Sequence, residues 1–289
     1  MELEKTAIAR RFAALSSEKQ AKFLEALRLQ RIDFAQLPIV PQADAQRGVL
    51  SYAQQRQWFL WRLDPQSSAY HISGAQRLLG PLDTQALQAA FQMLWRRHAA
   101  LRTVFESLPD GQARQRVRDD LAFNVDVVDL DNTAGEGSDV TLTQALQAFR
   151  QQPFDLEQGP LLRVRLWRVT PQEHVVALVV HHSVADGWSM QVLLDEFAAA
   201  YAALFAGKEP SLPELGIDLQ DHALWQRHWM DAGESARQLA YWRAHLGDDD
   251  VALALPTDTP RDPAHTDDAA RHVLNVDPTL AAALRTRAA

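Results

Sequence analysis

Hydrophobic and polar residues follow two different periods along this chain, and the periods predict a mixture of helices and strands. Over 83–98, apolar residues recur at intervals of three and four, which predicts a helix. Over 162–166, leucine and valine alternate with arginine, the pattern of a half-buried strand. The next run, 174–180, reads HVVALVV and is nearly all apolar or β-branched. Such a run is typical of a strand that is buried on both faces.

The same patterns organise the rest of the 289 residues. Further segments are predicted as two helices before residue 29, a helix at 53–63, an extended segment at 70–79, a hairpin of 102–106 with 112–117, a strand at 123–128 and a helix at 142–150. We therefore predict a mixed α+β fold in which a mixed sheet is flanked by helices. Its expected parts are a helical segment and linker over 1–45, a body over 46–230 and a connecting segment over 231–289.

Composition excludes several classes of protein. The chain has no cysteine, so disulfides and thiolate metal sites are excluded, and a cytoplasmic location is expected. Its formal net charge of -8 argues against a nucleic-acid partner. No apolar run reaches the roughly 20 residues that span a bilayer, so no membrane role is expected. The hydrophobic fraction of 47% is that of an ordinary globular protein.

Candidate chemistry lies at the end of the buried strand. The sequence continues as His181-His182 and then, after three residues, Asp186-Gly187. Neighbouring residues on a strand point to opposite faces, so one histidine can face a cleft while the other packs into the fold. The two rings then cannot easily bind one metal ion. Gly187 leaves room for a substrate or a backbone to approach closely.

Simpler interpretations of these residues compete with a catalytic one. Asp186 or Ser189 can be a helix N-cap, and His181 can be a core histidine whose hydrogen bonds are satisfied. A zinc site is disfavoured, because adjacent histidines lack the helical spacing of zinc proteases. Ser183 is disfavoured as a nucleophile, because no G-x-S-x-G turn surrounds it.

Four motifs in order carry a resemblance to a known family. Residues 181–187 match the HHxxxDG motif of nonribosomal peptide synthetase condensation domains and their chloramphenicol acetyltransferase-like relatives. Residues 51–60, SYAQQRQWFL, resemble the first core motif of that family. Residues 97–105 resemble the second, with Ala99 where the family most often has glutamate, and 218–226 resemble the fourth. The chain is thus identified as similar to the amino-terminal lobe of a condensation domain.

The resemblance implies a fold and an assembly. It implies one chloramphenicol acetyltransferase-like lobe of a two-lobed, V-shaped domain, with the chain ending where the second lobe would begin. The partners that it implies are this second lobe, an adenylation domain, and carrier proteins upstream and downstream. An isolated lobe is expected to be inactive, since one wall of the active-site tunnel would be missing.

The resemblance also implies a reaction. An upstream carrier protein brings an acyl or peptidyl thioester, a downstream carrier brings an aminoacyl thioester, and the domain joins them through an amide bond. The chain would thus be a peptide-bond-forming acyltransferase. No cofactor or metal is expected to bind directly, because the phosphopantetheine arms of the carriers deliver substrates that are already activated.

His182 is the residue expected to face the tunnel. It either accepts the proton of the attacking amine as a general base or only positions that amine, and the sequence leaves both roles open. His181 is assigned to the architecture of the site. Backbone amides near Gly187 are expected to stabilise the oxyanion.

The remaining residues of interest are assigned to support. Asp186 is expected to be held by an arginine, either Arg56 or Arg102, in a buried ion pair. Trp188 and Trp225 are expected to line the tunnel or to contribute to packing.

Details of subtype follow from the same resemblance. The Tyr-His-Ile sequence at 70–72 resembles domains that accept a donor with an L-configured terminal residue, and the general texture resembles siderophore synthetases. Two alternatives stay open. One is an epimerisation domain of the same superfamily, and the other is a non-catalytic fragment that docks carrier proteins or an upstream synthetase.

Overall fold

The structure, a computed structural model, describes residues 2–42, 48–109, 111–130, 138–247, 256 and 274–288. Its contacts divide the chain into two compact units, Met1–Trp242 and Arg243–Ala289. The second unit contains the helix Pro278–Ala288, whose first turn is capped by Asp277 through the backbone amides of Thr279 and Leu280. The functional division at 45 and 230 stays a prediction.

The helices and strands follow the predicted ones to within a few residues. The helices are α1 Glu2–Ala13, α2 Ser17–Leu29, α3 Tyr52–Leu63, α4 Thr84–Arg97, α5 Ser138–Gln151, α6 Gly187–Phe205, α7 Leu219–Trp229, α8 Ser235–Leu246 and α9 Pro278–Ala288. The strands are β1 His71–Leu79, β2 Thr103–Ser107, β3 Ala113–Val117, β4 Asp126–Asp129, β5 Leu162–Thr170 and β6 Glu173–His181. A short π-helical segment, Met230–Glu234, joins α7 to α8. Among the described residues, no helix is long and apolar enough to cross a bilayer.

Strand β6 is an interior strand of the main sheet, as its apolar sequence predicts. The strand order is β1-β6-β5-β4, with β6 antiparallel to both neighbours and β4 parallel to β5. Every residue of β6 after Glu173 is buried. In register, His181 lies opposite His71 of β1, and Val180 lies opposite Leu162 of β5. The sheet is therefore mixed, and its most apolar strand lies inside it.

Helices cover both faces of this sheet. The side chain of Met190 in α6 lies against Gly74, which is paired with Leu178 of β6. Phe149 of α5 packs edge-on against Trp167, which is paired with Val175. Residues 175 and 178 point to opposite faces of a strand, so α6 and α5 lie on opposite sides. The resulting mixed α+β architecture confirms the predicted fold class.

The predicted hairpin forms, but outside the main sheet. Strands β2 and β3 pair with each other in a separate two-stranded sheet. The amide of Phe105 in β2 donates to the carbonyl of Leu156, and the amide of Gln115 in β3 donates to the carbonyl of Gly48. The hairpin is therefore held by the segments that flank β5 and α3.

The N-terminal helices pack onto the body rather than standing apart from it. Phe12 and Phe34 belong to a second hydrophobic cluster, which Trp225 and Trp229 of α7 complete. The ring of Phe12 meets that of His228 edge-on, with 4.9 Å between centroids. This contact makes α7 a shared support for the N-terminal segment and for the body.

The two leucines at positions 79 and 166 allow a direct test of the sheet packing. Leu166 on β5 is 0% exposed, whereas Leu79 at the end of β1 is 79% exposed. We expect Leu166→Ala to lower the free energy of unfolding by about 2–5 kcal/mol, because it leaves a cavity between sheet and helices. Leu79→Ala is the control and should change it by less than about 0.5 kcal/mol. Urea denaturation followed by circular dichroism measures both, and equal effects would contradict the proposed packing.

Candidate active site

The two adjacent histidines are held from opposite sides at the end of β6. The amide of His181 donates to the carbonyl of Leu161, which precedes β5, over 3.0 Å. The amide of His182 donates to the carbonyl of Tyr70, which precedes β1, over 2.9 Å. Because consecutive residues bond to different neighbours, their side chains point to opposite faces. The result is a buried His181 and an exposed His182.

The position of the proton on neutral His182 follows from one hydrogen bond. Its Nδ1 lies 2.9 Å from the carbonyl oxygen of Ala185. A carbonyl oxygen can only accept, so Nδ1 carries the hydrogen and donates it. The neutral ring then has its free electron pair on Nε2. His182 is therefore arranged to accept a proton, or a hydrogen bond, at Nε2.

His181 is kept neutral by its surroundings. Its Nδ1 accepts from the backbone amide of Ser183 at 3.2 Å, and the Ser183 hydroxyl lies 2.8 Å away. Burial, followed by the nearby positive charges of His71 and His182, lowers the pKa of His181 to about 3. A ring that stays unprotonated at neutral pH cannot repel a proton arriving on its neighbour. His181 thus serves the architecture, in the place where the sequence assigned it.

Asp186 does not form the predicted ion pair, and this expectation was wrong. Its Oδ1 accepts from the backbone amide of Ser189 at 2.8 Å and from the Ser189 hydroxyl at 2.6 Å. Asp186 is therefore the N-cap of α6, and it is exposed. These hydrogen bonds with Ser189 hold the pKa of the Asp186 carboxyl below its usual value. A carboxylate one residue before a helix meets the amides of the first turn before it can reach a distant guanidinium.

The two arginines proposed as partners of Asp186 lie elsewhere. Arg102 donates to the carbonyls of Trp95 and Arg96, each at 2.6 Å, and pairs with Asp119 at 3.1 Å. It therefore neutralises the C-terminal end of α4, where cations are favourable. Arg56 is exposed on α3 and makes no ion pair with Asp186 in the described part of the chain.

The residues after Asp186 are open to solvent. Trp188 is 82% exposed, so it does not pack within the described residues, and a role in lining a tunnel stays a prediction. Around Gly187, no described atom lies within 4 Å of the position that a side-chain Cβ would take. Trp225 lies away from this site, stacked on Trp229 at 5.5 Å, and it contributes to packing.

A histidine on β1 supports the site, although the sequence did not single out its role. His71 donates from Nδ1 to the carbonyl of Arg150 over 2.8 Å, and its ring centroid lies 6.1 Å from that of His181. Burial lowers the pKa of His71, against the raising effect of the Arg150 hydrogen bond, and the charge of Arg163 lowers it further. The ring of Phe154 packs edge-on against His71 at 4.9 Å. The only sequence signal was its place one residue after Tyr70.

A second missed residue is Gln54, in the motif at 51–60. Its side chain is buried and donates to the carbonyl of Ser183 over 3.3 Å. It also forms a capping box with Ser51 at the start of α3. The S-x-x-Q spacing of a capping box was visible in the sequence and could have indicated this position. The contact with Ser183 could not, because the two residues are 129 positions apart.

The site has the donors and acceptors of proton transfer rather than those of a metal centre. In the part of the chain that the structure describes, no group of three or more histidine and acidic side chains is placed to hold a metal ion. What the site offers is one exposed imidazole whose Nε2 is unprotonated. It also offers the first backbone amides of α6, which have no acceptor within the helix.

Sequence comparisons place these features in a family. The family described as "Condensation domain" matches residues 45–289. A linear gramicidin synthase of Brevibacillus parabrevis is 42% identical over 249 residues, which are 86% of this chain and 3% of that protein. Phosphinothricin tripeptide synthetase PhsC of Streptomyces viridochromogenes is 34% identical over 281 residues, which are 96% of this chain and 26% of that protein. The chain thus spans a small part of these relatives.

Solved structures share the fold. The X-domain from teicoplanin biosynthesis superposes with a TM-score of 0.68 at 31% identity, over 78% of this chain and 49% of that chain. The starter condensation domain of rhizomide synthetase RzmA superposes with a TM-score of 0.62 at 27% identity, over 70% of this chain and 48% of that chain. The chain therefore corresponds to about half of each of these two structures.

Loss of the Asp186 carboxylate should cost the energy of a helix cap and not that of a buried ion pair. We expect Asp186→Ala to destabilise the protein by about 0.5–2 kcal/mol, and Asp186→Asn, which can still cap, by much less. Because the folded pKa is lowered, the difference between Asp186 and Ala is complete above the ordinary pKa of about 3.9 and disappears as the pH falls through the lowered value. Thermal melts at several pH values measure it, and a loss of several kcal/mol would restore the ion-pair interpretation.

The buried His181 should make the fold sensitive to mild acid. The unfolded chain takes up a proton on this residue near pH 6.5, whereas the folded protein does so only near pH 3. Stability is therefore complete above about pH 6.5 and is lost progressively as the pH falls toward 3. We expect His181→Gln to make urea unfolding less dependent on pH over this range. The same substitution at the exposed His245 is the control, and equal pH profiles for wild type and His181→Gln would refute the assignment.

Proposed function

The chain belongs to the condensation domain family and has its chloramphenicol acetyltransferase-like fold, and we propose that it catalyses amide bond formation as one lobe of a nonribosomal peptide synthetase. The observation that carries the proposal is the geometry of His182. An interior strand delivers this residue to the surface, and the Ala185 carbonyl fixes its free electron pair on Nε2. His181 and Asp186 then serve to hold the strand end and the following helix.

The reaction joins two carrier-bound substrates. The α-amine of the downstream aminoacyl thioester attacks the carbonyl carbon of the upstream acyl or peptidyl thioester. The new C–N bond forms, the C–S bond breaks, and the proton lost by the amine is returned to the departing sulfur. The thioesters are already activated, so the protein has to supply only orientation, proton transfer and stabilisation of the oxyanion.

His182 acts on the attacking amine. A typical α-amino pKa of about 7.7–8.0 leaves roughly a tenth of the amine neutral at pH 7, so a nearby acceptor is useful. Nε2 can take the proton as the C–N bond forms, which is worth about 10²–10⁴-fold in rate. If Nε2 only accepts a hydrogen bond, it orients the amine, and orientation can supply about 7–11 kcal/mol of the barrier.

The start of α6 is the proposed oxyanion site. The amides of Gly187 and Trp188 belong to the first turn, where backbone N–H groups have no acceptor within the helix. The space beside Gly187 is open, so a tetrahedral intermediate could approach these amides closely. Amides fixed before the reaction stabilise developing charge without reorganising.

The assembly and subtype are proposed from the family. The partners are an upstream donor carrier and a downstream acceptor carrier, the second lobe of the domain, and an adenylation domain. The phosphopantetheine arms of the carriers bring the substrates, and the chain itself needs no cofactor. We retain a donor with an L-configured terminal residue, a siderophore product and a cytoplasmic location as parts of this proposal.

A binding role without catalysis is the second candidate. A structural neighbour, the X-domain from teicoplanin biosynthesis, was solved in complex with OxyB. The exposed Trp188 would suit a binding surface as well as a tunnel wall. An epimerisation domain remains the other alternative within the superfamily. These candidates differ from condensation in the product that they give with loaded carriers.

Replacing His182 separates the catalytic proposal from the binding one. In a protein that carries both lobes, we expect His182→Ala to lower kcat for amide formation by about 10²–10⁴-fold. Circular dichroism and the melting temperature should be unchanged, because the side chain is exposed. Mass spectrometry of the products from loaded donor and acceptor carriers measures the rate, with the exposed His245→Ala as control.

Three other outcomes would count against the proposal. Full activity of His182→Ala would remove the imidazole from the mechanism and favour the binding role. Epimerised donor without amide would identify an epimerisation domain. The 289-residue chain alone should turn over little, because positioning requires the second wall, and a rate equal to that of the complete domain would contradict the two-lobed site.

A further inference from the structure

Gln54 is a buried polar residue at the junction of three parts of the fold. It lies in the first turn of α3 and is 2% exposed. Its Nε2 lies 3.1 Å from Oε1 of Gln115 on β3 and 3.3 Å from the carbonyl oxygen of Ser183 after β6. Its Oε1 accepts from the backbone amide of Ser51 at 2.9 Å. One side chain therefore joins α3, the hairpin and the turn that carries the histidines.

The hydrogen bonds of this amide are fully used. The two hydrogens on Nε2 match the two acceptors, and Oε1 has its own donor. Gln115 is held in turn, because its Nε2 donates to the carbonyl of Val49 over 2.7 Å. Inside a protein such a fully satisfied network is rigid and specific, whereas an unpaired amide would be costly. Gln54 therefore restricts where the Ser183 carbonyl can lie.

The Ser183 carbonyl belongs to the turn that sets the proton position on His182. Residues 182–184 form this turn, and Ala185 follows it with the carbonyl that accepts from Nδ1 of His182. A shift of the Ser183 peptide would move Ala185, since only one residue separates them. We propose that Gln54 is a positioning residue, which anchors this turn and so keeps neutral His182 as the Nδ1–H tautomer with Nε2 free.

Helix capping by Gln54 is the simpler role that a test must separate from positioning. Ser51→Ala removes the other half of the same capping box, because Gln54 loses the acceptor of its backbone amide, but it leaves the Gln54 side chain in contact with Ser183. Gln54→Leu removes both roles. Gln54→Glu keeps an acceptor for the Ser51 amide but loses both Nε2 hydrogens, and it provides a second variant if Gln54→Leu fails to fold.

The tautomer can be read directly by NMR. We would label the histidines of the 289-residue chain with ¹⁵N and record long-range proton–nitrogen spectra of the imidazoles at pH 7.5, assigning His182 with His182→Ala. In the wild type and in Ser51→Ala, the Nδ1 of His182 should be the protonated nitrogen. In Gln54→Leu and Gln54→Glu, the two nitrogen shifts should move toward the averaged values of an untethered ring. Unchanged His182 shifts in folded Gln54 variants would overturn the proposal.

The consequence for rate rests on the proposed function, and the NMR result does not. In the two-lobed protein, misplacing His182 should lower kcat for amide formation by up to about 10²-fold with little change in KM. Ser51→Ala should lower the melting temperature without this loss of kcat. If the wild type forms no amide while the tautomer still depends on Gln54, the proposed function fails and the positioning role stands.

Discussion

The burial of β6 between two neighbouring strands is the constraint on which the rest of the structure depends. Its backbone is bonded on both edges, and its side chains are covered by α5 on one face and α6 on the other. A strand held in this way cannot rotate or slide without breaking its ladder. The location of His182 is therefore fixed by the apolar residues that precede it, and the site needs few interactions of its own.

Polar contacts near the end of β6 are local and short in reach. Asp186 caps the helix that follows it, Ser183 holds His181, and Ala185 orients His182. Gln54 brings in a distant part of the sequence. This division is physically reasonable, because apolar burial positions whole elements, whereas hydrogen bonds decide orientation over about 3 Å.

The sequence predicted what depends on periodicity and missed what depends on the meeting of distant residues. The apolar run before His181 indicated an interior strand, and alternation indicated that the adjacent histidines face opposite ways. Pairing of Asp186 with a remote arginine was wrong, since its own helix offered closer donors. The placement of the hairpin in a separate sheet was not predictable either, because local patterns give strands but not their partners.

The register of β6 has a consequence for how such a protein can vary. Substitutions in 174–180 that keep the side chains apolar and of similar size preserve the strand. Inserting or deleting one residue there would exchange the two histidines between interior and surface, so that the reactive ring would be buried and the inert one exposed. Relatives can therefore differ freely in composition along this strand, but its length is constrained by chemistry at its far end.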